Sequence, residues 1–503
     1  MKRNKWINCL FSLCIIVAAT ACYEDKGNYD YDWVPDVCLQ AKLRDTFVER
    51  GAVMKITPEL GKIIGEDTTA IRPEDYTFRW EAILDKDDIT VIGTRQNLDD
   101  TIWLTIGKTY QVNYIVREKA SGVQWLNRFK LRVVQRLTGG YLFMTEDENK
   151  QVELEIWASD SKGEKVHEAG VLARSGFPYT GGGANGVANI FVTKAKSYLW
   201  VATGQASAYL KLPDFSWEEK QMARMLMAKQ EPVSYTFKSF HQFTNEGSFY
   251  LTDQGNAHVL TGNGVIFPDY AFVNNEKFKA SPYLGGSSTA TILFDENRGC
   301  FLLYAQGNSG LVQPASMCMD VDEKVAFKGS TLYYMQLIAG SVTVAVFKDA
   351  QGVYRKGLFR VTGSRGNWKL ELDDQSSEFQ GNIAMIEQAD TKVVSWNYGK
   401  LYFTLNGKLY TYRDEGINEC LEVNLLDEDG NRVNPDEVVA VMMINNGMTG
   451  GNYRKYIYVS TYSPENGGRV YVTVPQQAEC RNLDIEEVIK VDGRVKSLCN
   501  WSN

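Results

Sequence analysis

The chain has 503 residues and a net charge of −8, from 62 acidic side chains against 54 Lys and Arg. An acidic chain without a basic stripe cannot neutralise a phosphate backbone, which excludes nucleic acid as the natural partner. Aromatics make up 12% of residues and Gly far outnumbers Pro; with strand-like runs frequent and helical ones few, this is the profile of an all-β extracellular protein.

Lys2, Arg3 and Lys5 precede an apolar stretch from Ile7 to Ala19. That stretch matches a signal-peptide core and falls short of the ~20 apolar residues of a spanning helix. No later apolar run is long enough to span either. Ala19-Thr20-Ala21 leads into Cys22. Small residues before a cysteine resemble the bacterial lipobox, which implies cleavage of residues 1–21 and acylation of Cys22 into the lipid bilayer. Each buried methylene contributes about 0.8 kcal/mol, so two or three chains make a stable anchor. Removing the three cations takes the net charge from −8 to −11. Residues 22–33 are polar and acidic with no apolar period, which predicts a flexible tether. An acidic stretch straight after the lipid cysteine resembles the surface-export signal of Bacteroidota lipoproteins. It implies an outer-membrane protein facing the cell exterior; a periplasm-facing anchor is the alternative.

Residues 34–136 read as one small β-domain. Predicted strands are Val53–Pro58, Tyr76–Leu84, Ile102–Ile106, Tyr110–Glu118 and Gln124–Val134. Alternation places Tyr76, Phe78 and Trp80 on one face, and likewise Tyr110, Val112 and Tyr114, then Phe129, Leu131 and Val133. Ala120-Ser121-Gly122 is the expected turn between the last two strands. A mid-domain Trp, a Tyr-rich strand and a closing strand suggest an immunoglobulin-like sandwich. No cysteine pair crosses the sheets.

Residues 137–503 repeat a loose unit of aromatic-aliphatic strand, polar Gly/Asn turn and second strand. The strands start near residues 142, 199, 249, 301, 344, 401 and 457. A period of about 50 residues fits four strands with their turns, which is one propeller blade. The expected fold is therefore a β-sandwich followed by a β-propeller, seven blades favoured and six or eight possible. A set of sandwiches is the alternative. Trp217 to Lys229 carries Met222, Met225 and Leu226 at helical spacing, which predicts an inserted helix. Six cysteines follow Cys22: Cys38, Cys300, Cys318, Cys420, Cys480 and Cys499. Export permits disulfides, and Cys480 with Cys499 could staple the last segment; buried thiols are the alternative.

Motifs for chemistry are sparse. His167, His241 and His258 show no zinc spacing, and no GxSxG elbow occurs. Gly181 to Gly186 formally matches GxGxxG, but Ile190-Phe191-Val192 follows as a strand, whereas a dinucleotide loop must open a helix. The expectation is a flexible loop. Asp427-Glu428-Asp429-Gly430-Asn431 resembles the start of a calcium loop, yet Arg432 and Val438 stand where an EF-hand needs Gly and Glu; a polar turn fits better. Ser364-Arg365-Gly366-Asn367-Trp368 echoes a sialidase Asp-box without its Asp. The sequence implies no catalytic residue, cofactor or metal.

The lipobox followed by Cys22-Tyr23-Glu24-Asp25-Lys26-Gly27-Asn28-Tyr29-Asp30-Tyr31 resembles the start of PKD-like family lipoproteins of Bacteroidota. Tyr76-Thr77-Phe78-Arg79-Trp80 and the Tyr110–Val116 strand are similar to their PKD/Ig-like module, and Gly140-Tyr141-Leu142-Phe143-Met144-Thr145-Glu146 to the entry into their C-terminal half. The resemblance implies an accessory surface lipoprotein beside a SusC-like TonB-dependent transporter and a SusD-like lipoprotein. It supplies no catalytic residues. A propeller face would bind or present an oligosaccharide or peptide, with Trp200, Trp217, Trp368 and Trp396 as candidate contacts because sugars stack on aromatic rings. Two alternatives stand beside it. A propeller hydrolase or lyase would gather perturbed acids, His or Tyr in the channel. A purely structural partner of the transporter would expose an apolar patch.

Overall fold

The computed structural model describes residues 36–39, 42–64, 67–135, 137–160, 162–193, 196–212, 214–226, 236–244, 247–252, 255–261, 266–268, 272–273, 276–277, 279–287, 290–305, 316–317, 328–364, 367–373, 377–379, 381–412, 420–444, 451–476 and 481–502. Cys22 and the tether lie outside them. The chain divides into two compact units, Met1–Arg136 and Leu137–Asn503. Among the described residues no helix is long and apolar enough to cross a membrane.

The first unit is a β-sandwich. One sheet runs Thr46–Glu49, Gln124–Val134, Thr109–Glu118, Tyr76–Ile83, Ile89–Gly93. The others are Asp36–Leu39, Leu60–Ile64, Asp67–Ala70 and the pair Val53–Ile56 with Leu98–Thr101. All three contribute to one core, in which Val37, Leu60, Met54 and Leu98 meet Trp80, Tyr114 and Leu131. Trp80 is fully buried. Its ring stacks on Tyr114 at 4.1 Å, and its Nε1–H donates to the Arg95 carbonyl at 2.9 Å. The expected faces form as alternation dictates, and Gly122 takes a left-handed φ of 75° in the predicted turn.

One strand differs. Ile102 to Ile106 is not a strand; the strand is Leu98–Thr101, paired with Val53–Ile56. Ile102 and Leu104 are buried all the same. Their alternation satisfies the core without a ladder, so the period alone could not separate extended loop from strand.

The second unit is a β-propeller, whose described residues form seven sheets of three to six strands and one two-stranded pair, Phe272–Val273 with Glu276–Lys277. Each predicted start falls in a different one. Naming each sheet's strands from the innermost outward, blade 1 is Arg494–Ser502, Leu137–Glu146, Val152–Asp160 and Lys165–Glu168, and blade 2 is Ala184–Thr193, Lys196–Thr203 and Ser207–Lys211. Blade 3 is Phe237–Thr244, Gly247–Thr252, Ala257–Thr261 and Ile266–Pro268; blade 4 is Gly285–Gly286, Ala290–Asp295, Cys300–Ala305 and Ser316–Met317. Blade 5 is Thr331–Ile338, Val342–Lys348, Tyr354–Ser364 and Asn367–Leu372; blade 6 is Thr391–Val394, Leu401–Leu405, Lys408–Tyr412 and Cys420–Glu422. Blade 7 is Glu437–Met442, Ile457–Ser463, Gly467–Pro475 and Asn482–Val491, with Asn424–Leu426 and Arg432–Val433 on its outer edge.

The inner strands form a ring. Arg494–Ser502 lies against the inner strands of blades 2 and 7; contacts between inner strands also join blade 2 to 3, 4 to 5, 5 to 6 and 6 to 7, and Ser239 meets Pro282 between blades 3 and 4. Polar side chains tie every junction. Ser497 Oγ accepts from Val187 N at 3.1 Å, and Lys238 Nζ donates to Asn185 Oδ1 at 2.9 Å. Ser239 Oγ donates to the Pro282 carbonyl, and Thr343 Oγ1 accepts from Gly286 N at 2.8 Å. Gln336 spans blades 5 and 6, accepting from Val394 N and donating to Val394 O, both at 2.9 Å. Thr391 Oγ1 accepts from Val441 N at 2.8 Å. Ser460 Oγ donates to Val495 O at 2.9 Å. Buried edges need such partners, since an unsatisfied backbone group costs about 1–3 kcal/mol.

The expected helix over 217–229 is shorter and broken within the described residues. A 3-10 turn spans Glu219–Gln221 and one α-turn spans Ala223–Leu226. Met222 between them is extended and bridges Ala208. The Gln221 amide is buried and donates to the carbonyls of Tyr209 and Ser216 at 2.7 and 3.1 Å. These side contacts override the helical period. Met222 is buried, while Met225 is exposed.

Candidate functional site

The two ends of the ring carry different chemistry. Where the inner strands begin, Lys392 of blade 6 reaches past blade 5. Its Nζ lies 3.4 Å from the hydroxyl of Tyr283, which precedes the inner strand of blade 4, and donates to the Ala389 carbonyl at 3.2 Å. The ammonium sits 5.9 Å from the Tyr283 ring centroid. Tyr283 packs edge-on against Tyr334 of blade 5 at 5.0 Å, and the Tyr334 hydroxyl donates to Gln336 Oε1. The junction bond of Gln336 thus continues into an aromatic cluster at this mouth.

Burial sets the electrostatics here. It lowers the Lys392 pKa, against a smaller opposing effect of Asp390. It raises the Tyr283 and Tyr334 hydroxyls, so both phenols stay protonated at neutral pH. Among the described residues no carboxylate forms an ion pair with Lys392. A half-buried cation beside neutral phenols is arranged to receive an anion and hydrogen-bond acceptors.

Where the inner strands end, Trp396 occupies the turn after Thr391–Val394. Its carbonyl accepts from Ala339 N of blade 5 at 3.1 Å. The Arg454 guanidinium of blade 7 covers the ring at 4.3 Å, a cation–π contact. Tyr398, two residues on, is exposed. Trp396 is therefore half-buried at a rim built by three blades.

The other predicted tryptophans do not join it. Trp200 is fully buried between blades 2 and 3, against Phe237, so its ring is core and does not reach solvent. Trp217 is half-buried in an edge-to-face cluster with Phe177 and Tyr179 on blade 2. Trp368 lies on the outer strand of blade 5, paired with Gly363; its side chain lies outside the described residues. Lys392 and Tyr283 were missed because a lone Lys and a lone Tyr carry no motif. Trp103 was missed too. It stands 67% exposed on the sandwich, beside a groove of about 360 Å³ lined by Val91, Asp100 and Tyr110. Alternation within Ile102-Trp103-Leu104 was its signal.

The remaining motifs are structural. The Gly181–Gly186 loop is pinned rather than flexible. Gly181 N donates to Gln205 Oε1 at 3.0 Å, Ala184 N to Glu146 Oε2 at 3.0 Å, and Gly204 N to Gly183 O at 2.9 Å. A Cβ on Gly204 would lie 2.3 Å from the Gly182 carbonyl, so two backbones meet here with no room for a side chain. In the turn at 427–431, Asp427 Oδ1 accepts from Asp429 N and Asn431 N at 3.1 and 2.8 Å. The same Asx turn recurs at Asp160 and Asp349. His258 is buried near Phe237, and His241 lies on the inner strand of blade 3. Cys499 is buried in blade 1; Cys480 and Cys318 lie outside the described residues.

Residues 22–175 match the model of the PKD-like family. The PKD-like segment takes in the described sandwich and three strands of blade 1, ending at Ser175. No curated protein matches the chain. Among solved structures, it is similar to a quinonprotein alcohol dehydrogenase-like protein from Bacteroides thetaiotaomicron, with 12% identity and a TM-score of 0.44 over 92% of this chain and 98% of that one. It is also similar to an auxiliary nutrient binding protein from the same organism, with 10% identity and a TM-score of 0.31 over 82% and 92%. A putative 6-phosphogluconolactonase from Bacteroides fragilis shows 9% identity and a TM-score of 0.30 over 86% and 100%.

Proposed function

We propose that this PKD-like protein is a lipoprotein of the outer membrane, anchored through Cys22 and facing the cell exterior. It serves as an accessory nutrient-binding module beside a SusC-like transporter and a SusD-like lipoprotein. The propeller mouth receives an oligosaccharide or peptide bearing a carboxylate. The observation that carries this reading is the Lys392–Tyr283 pair: a cation that Asp390 attracts but that forms no ion pair among the described residues, set against neutral phenols on the inner ring. A ligand carboxylate supplies the missing charge, and the rings supply apolar faces for stacking. The signal segment and acidic tether support the location, and the family match supports the PKD-like module.

The test is a glycan and peptide binding screen on the full-length chain, with neutral and carboxylate-bearing members of each class. Acidic ligands are expected to bind at least about tenfold more tightly than neutral analogues, a preference of about 1.4 kcal/mol, and Lys392→Met removes it. Equal binding of neutral and acidic ligands would sink the assignment of Lys392. Copurification from outer membranes tests the transporter separately.

A second reading has its own observation. Trp103, Phe47, Ile89 and Val91 are exposed on the sandwich, and Val91 lines the groove beside Trp103. Such apolar exposure suits docking to a partner protein. Trp103→Ser is expected to reduce transporter copurification without altering ligand affinity of the propeller.

A further inference from the structure

Glu155, His167 and Asp492 come together at the seam where the propeller closes. Glu155 lies on the third strand of blade 1 and His167 on the fourth, paired across the ladder through Ile156 and Trp157. Asp492 lies in the two-residue turn between the last strand of blade 7 and Arg494–Ser502, the strand that completes blade 1. The ligand atoms of the three side chains all lie within 4.8 Å of one another.

The Glu155 carboxylate is almost wholly buried. Oε1 accepts from Gly493 N at 3.1 Å, and Oε2 accepts from Asp492 N at 2.8 Å. His167 Nε2 is also 2.8 Å from Oε2. The backbone of the closing turn therefore orients one carboxylate while the Asp492 side chain brings a second beside it. Among the described residues neither carboxylate forms an ion pair with Lys or Arg; His167 is the sole basic group in contact.

Two carboxylates held this close repel, and one imidazole does not balance them. A divalent cation does: two carboxylates and a neutral imidazole give a site of zero net charge. The donor set of one nitrogen and two oxygens suits Zn²⁺ and other first-row ions. Bonds of about 2.0–2.2 Å on a tetrahedron put ligand atoms about 3.4 Å apart. The ligand atoms, all within 4.8 Å of one another, reach that spacing when the exposed Asp492 moves in and the 2.8 Å contact between His167 Nε2 and Glu155 Oε2 opens, its proton leaving to solvent. Gly493 N keeps its bond to Oε1 and fixes the Glu155 carboxylate, as outer contacts do in metal sites.

We propose that Glu155, His167 and Asp492 bind one first-row divalent cation, which cross-links blade 1 to the turn that delivers its closing strand. The site is remote in kind from the Lys392 mouth and independent of the ligand bound there.

The experiment uses untagged full-length chain stripped with EDTA and titrated with Zn²⁺ by calorimetry, with thermal unfolding in parallel. One Zn²⁺ per chain and a higher Tm are expected. His167→Gln and Asp492→Asn each weaken Zn²⁺ binding at least about tenfold, and the unfolding temperature without metal stays within about 2 °C of the parent, which shows that both variants fold. Co²⁺ in place of Zn²⁺ is expected to give the visible absorption of a tetrahedral site. Absence of stoichiometric binding overturns the proposal, as does unchanged affinity in both variants. Displacement of Zn²⁺ by an equal concentration of Ca²⁺ overturns it too, because the imidazole then contributes nothing.

Discussion

Lys392 on blade 6 and Tyr283, which leads into blade 4, meet at 3.4 Å, and Tyr283 also packs on Tyr334 of blade 5, so two contacts of one tyrosine link three blades at one mouth of the ring. Burial depresses the Lys392 pKa below its ordinary 10.5. Below the depressed value the lysine is charged in both states, and its burial opposes folding. That penalty fades as pH rises from the folded pKa towards 10.5, because the unfolded chain then holds the extra proton. Lys392→Met is therefore expected to raise Tm at pH 7 by roughly 2 °C, with a smaller gain above pH 10.5. A lower Tm in differential scanning calorimetry would show that the ammonium is satisfied by the fold itself.

Gln336 holds both backbone groups of Val394. Gln336→Leu leaves a buried N–H and C=O without this partner and is expected to cost about 2–4 kcal/mol, read as a lower urea midpoint at unchanged slope. Gln336→Glu retains the acceptor and loses the donor, so it should fall below wild type as well.

In the sandwich, Trp80 contributes through stacking on Tyr114 and through its bond to Arg95 O. Trp80→Ala is expected to cost about 3–5 kcal/mol. Trp80→Phe keeps most of the stacking and should cost about 1–2 kcal/mol. Tryptophan fluorescence during urea unfolding separates the two; equal losses would mean that the ring area is not what stabilises this core.

His258 gives the propeller an acid limit. Burial pushes its imidazole from 6.5 down to about 4, so it folds neutral. Its contribution is present above pH 6.5 and is lost as pH falls towards 4, where the unfolded chain takes up the proton first. The loss amounts to about 3 kcal/mol when complete. His258→Gln should flatten the fall of Tm between those pH values, and an unchanged pH profile would exclude the histidine as its source.

Cys22→Ser tests the proposed anchor. The variant should lose metabolic labelling by fatty acid and move from the membrane fraction to the soluble one. Retention in the membrane would require another attachment.

Much of the fold was legible because its repeats are local. Leu142, Leu199, Phe249, Val344, Leu401 and Ile457 each fall on the second strand of a sheet, since aromatic-aliphatic strands followed by Gly or Asn turns mark hairpins; Phe301 falls on the third strand of blade 4. The inner strands were harder. Gly285–Gly286 and Thr391–Val394 are short, and their partners include side chains from the neighbouring blade, which no local period encodes. The same reason hid the mouth. Lys392 acquires its meaning only when Tyr283, 109 positions away, is folded against it. Trp200 misled in the opposite sense, because a strand residue between two sheets and a surface platform read alike. The short helix failed because buried Gln221 and the Met222 bridge outweigh a four-residue period.

Arg494–Ser502 pairs with Leu137–Glu146, so the first blade to be synthesised is the last to be finished. Until those strand residues have been synthesised, Leu137–Glu146 has an unpaired edge of the kind that recruits foreign strands. Contacts this distant in sequence also form slowly. The propeller thus stays open while almost its whole length is synthesised, and a truncation removing only the closing strand should aggregate rather than yield a six-bladed remnant.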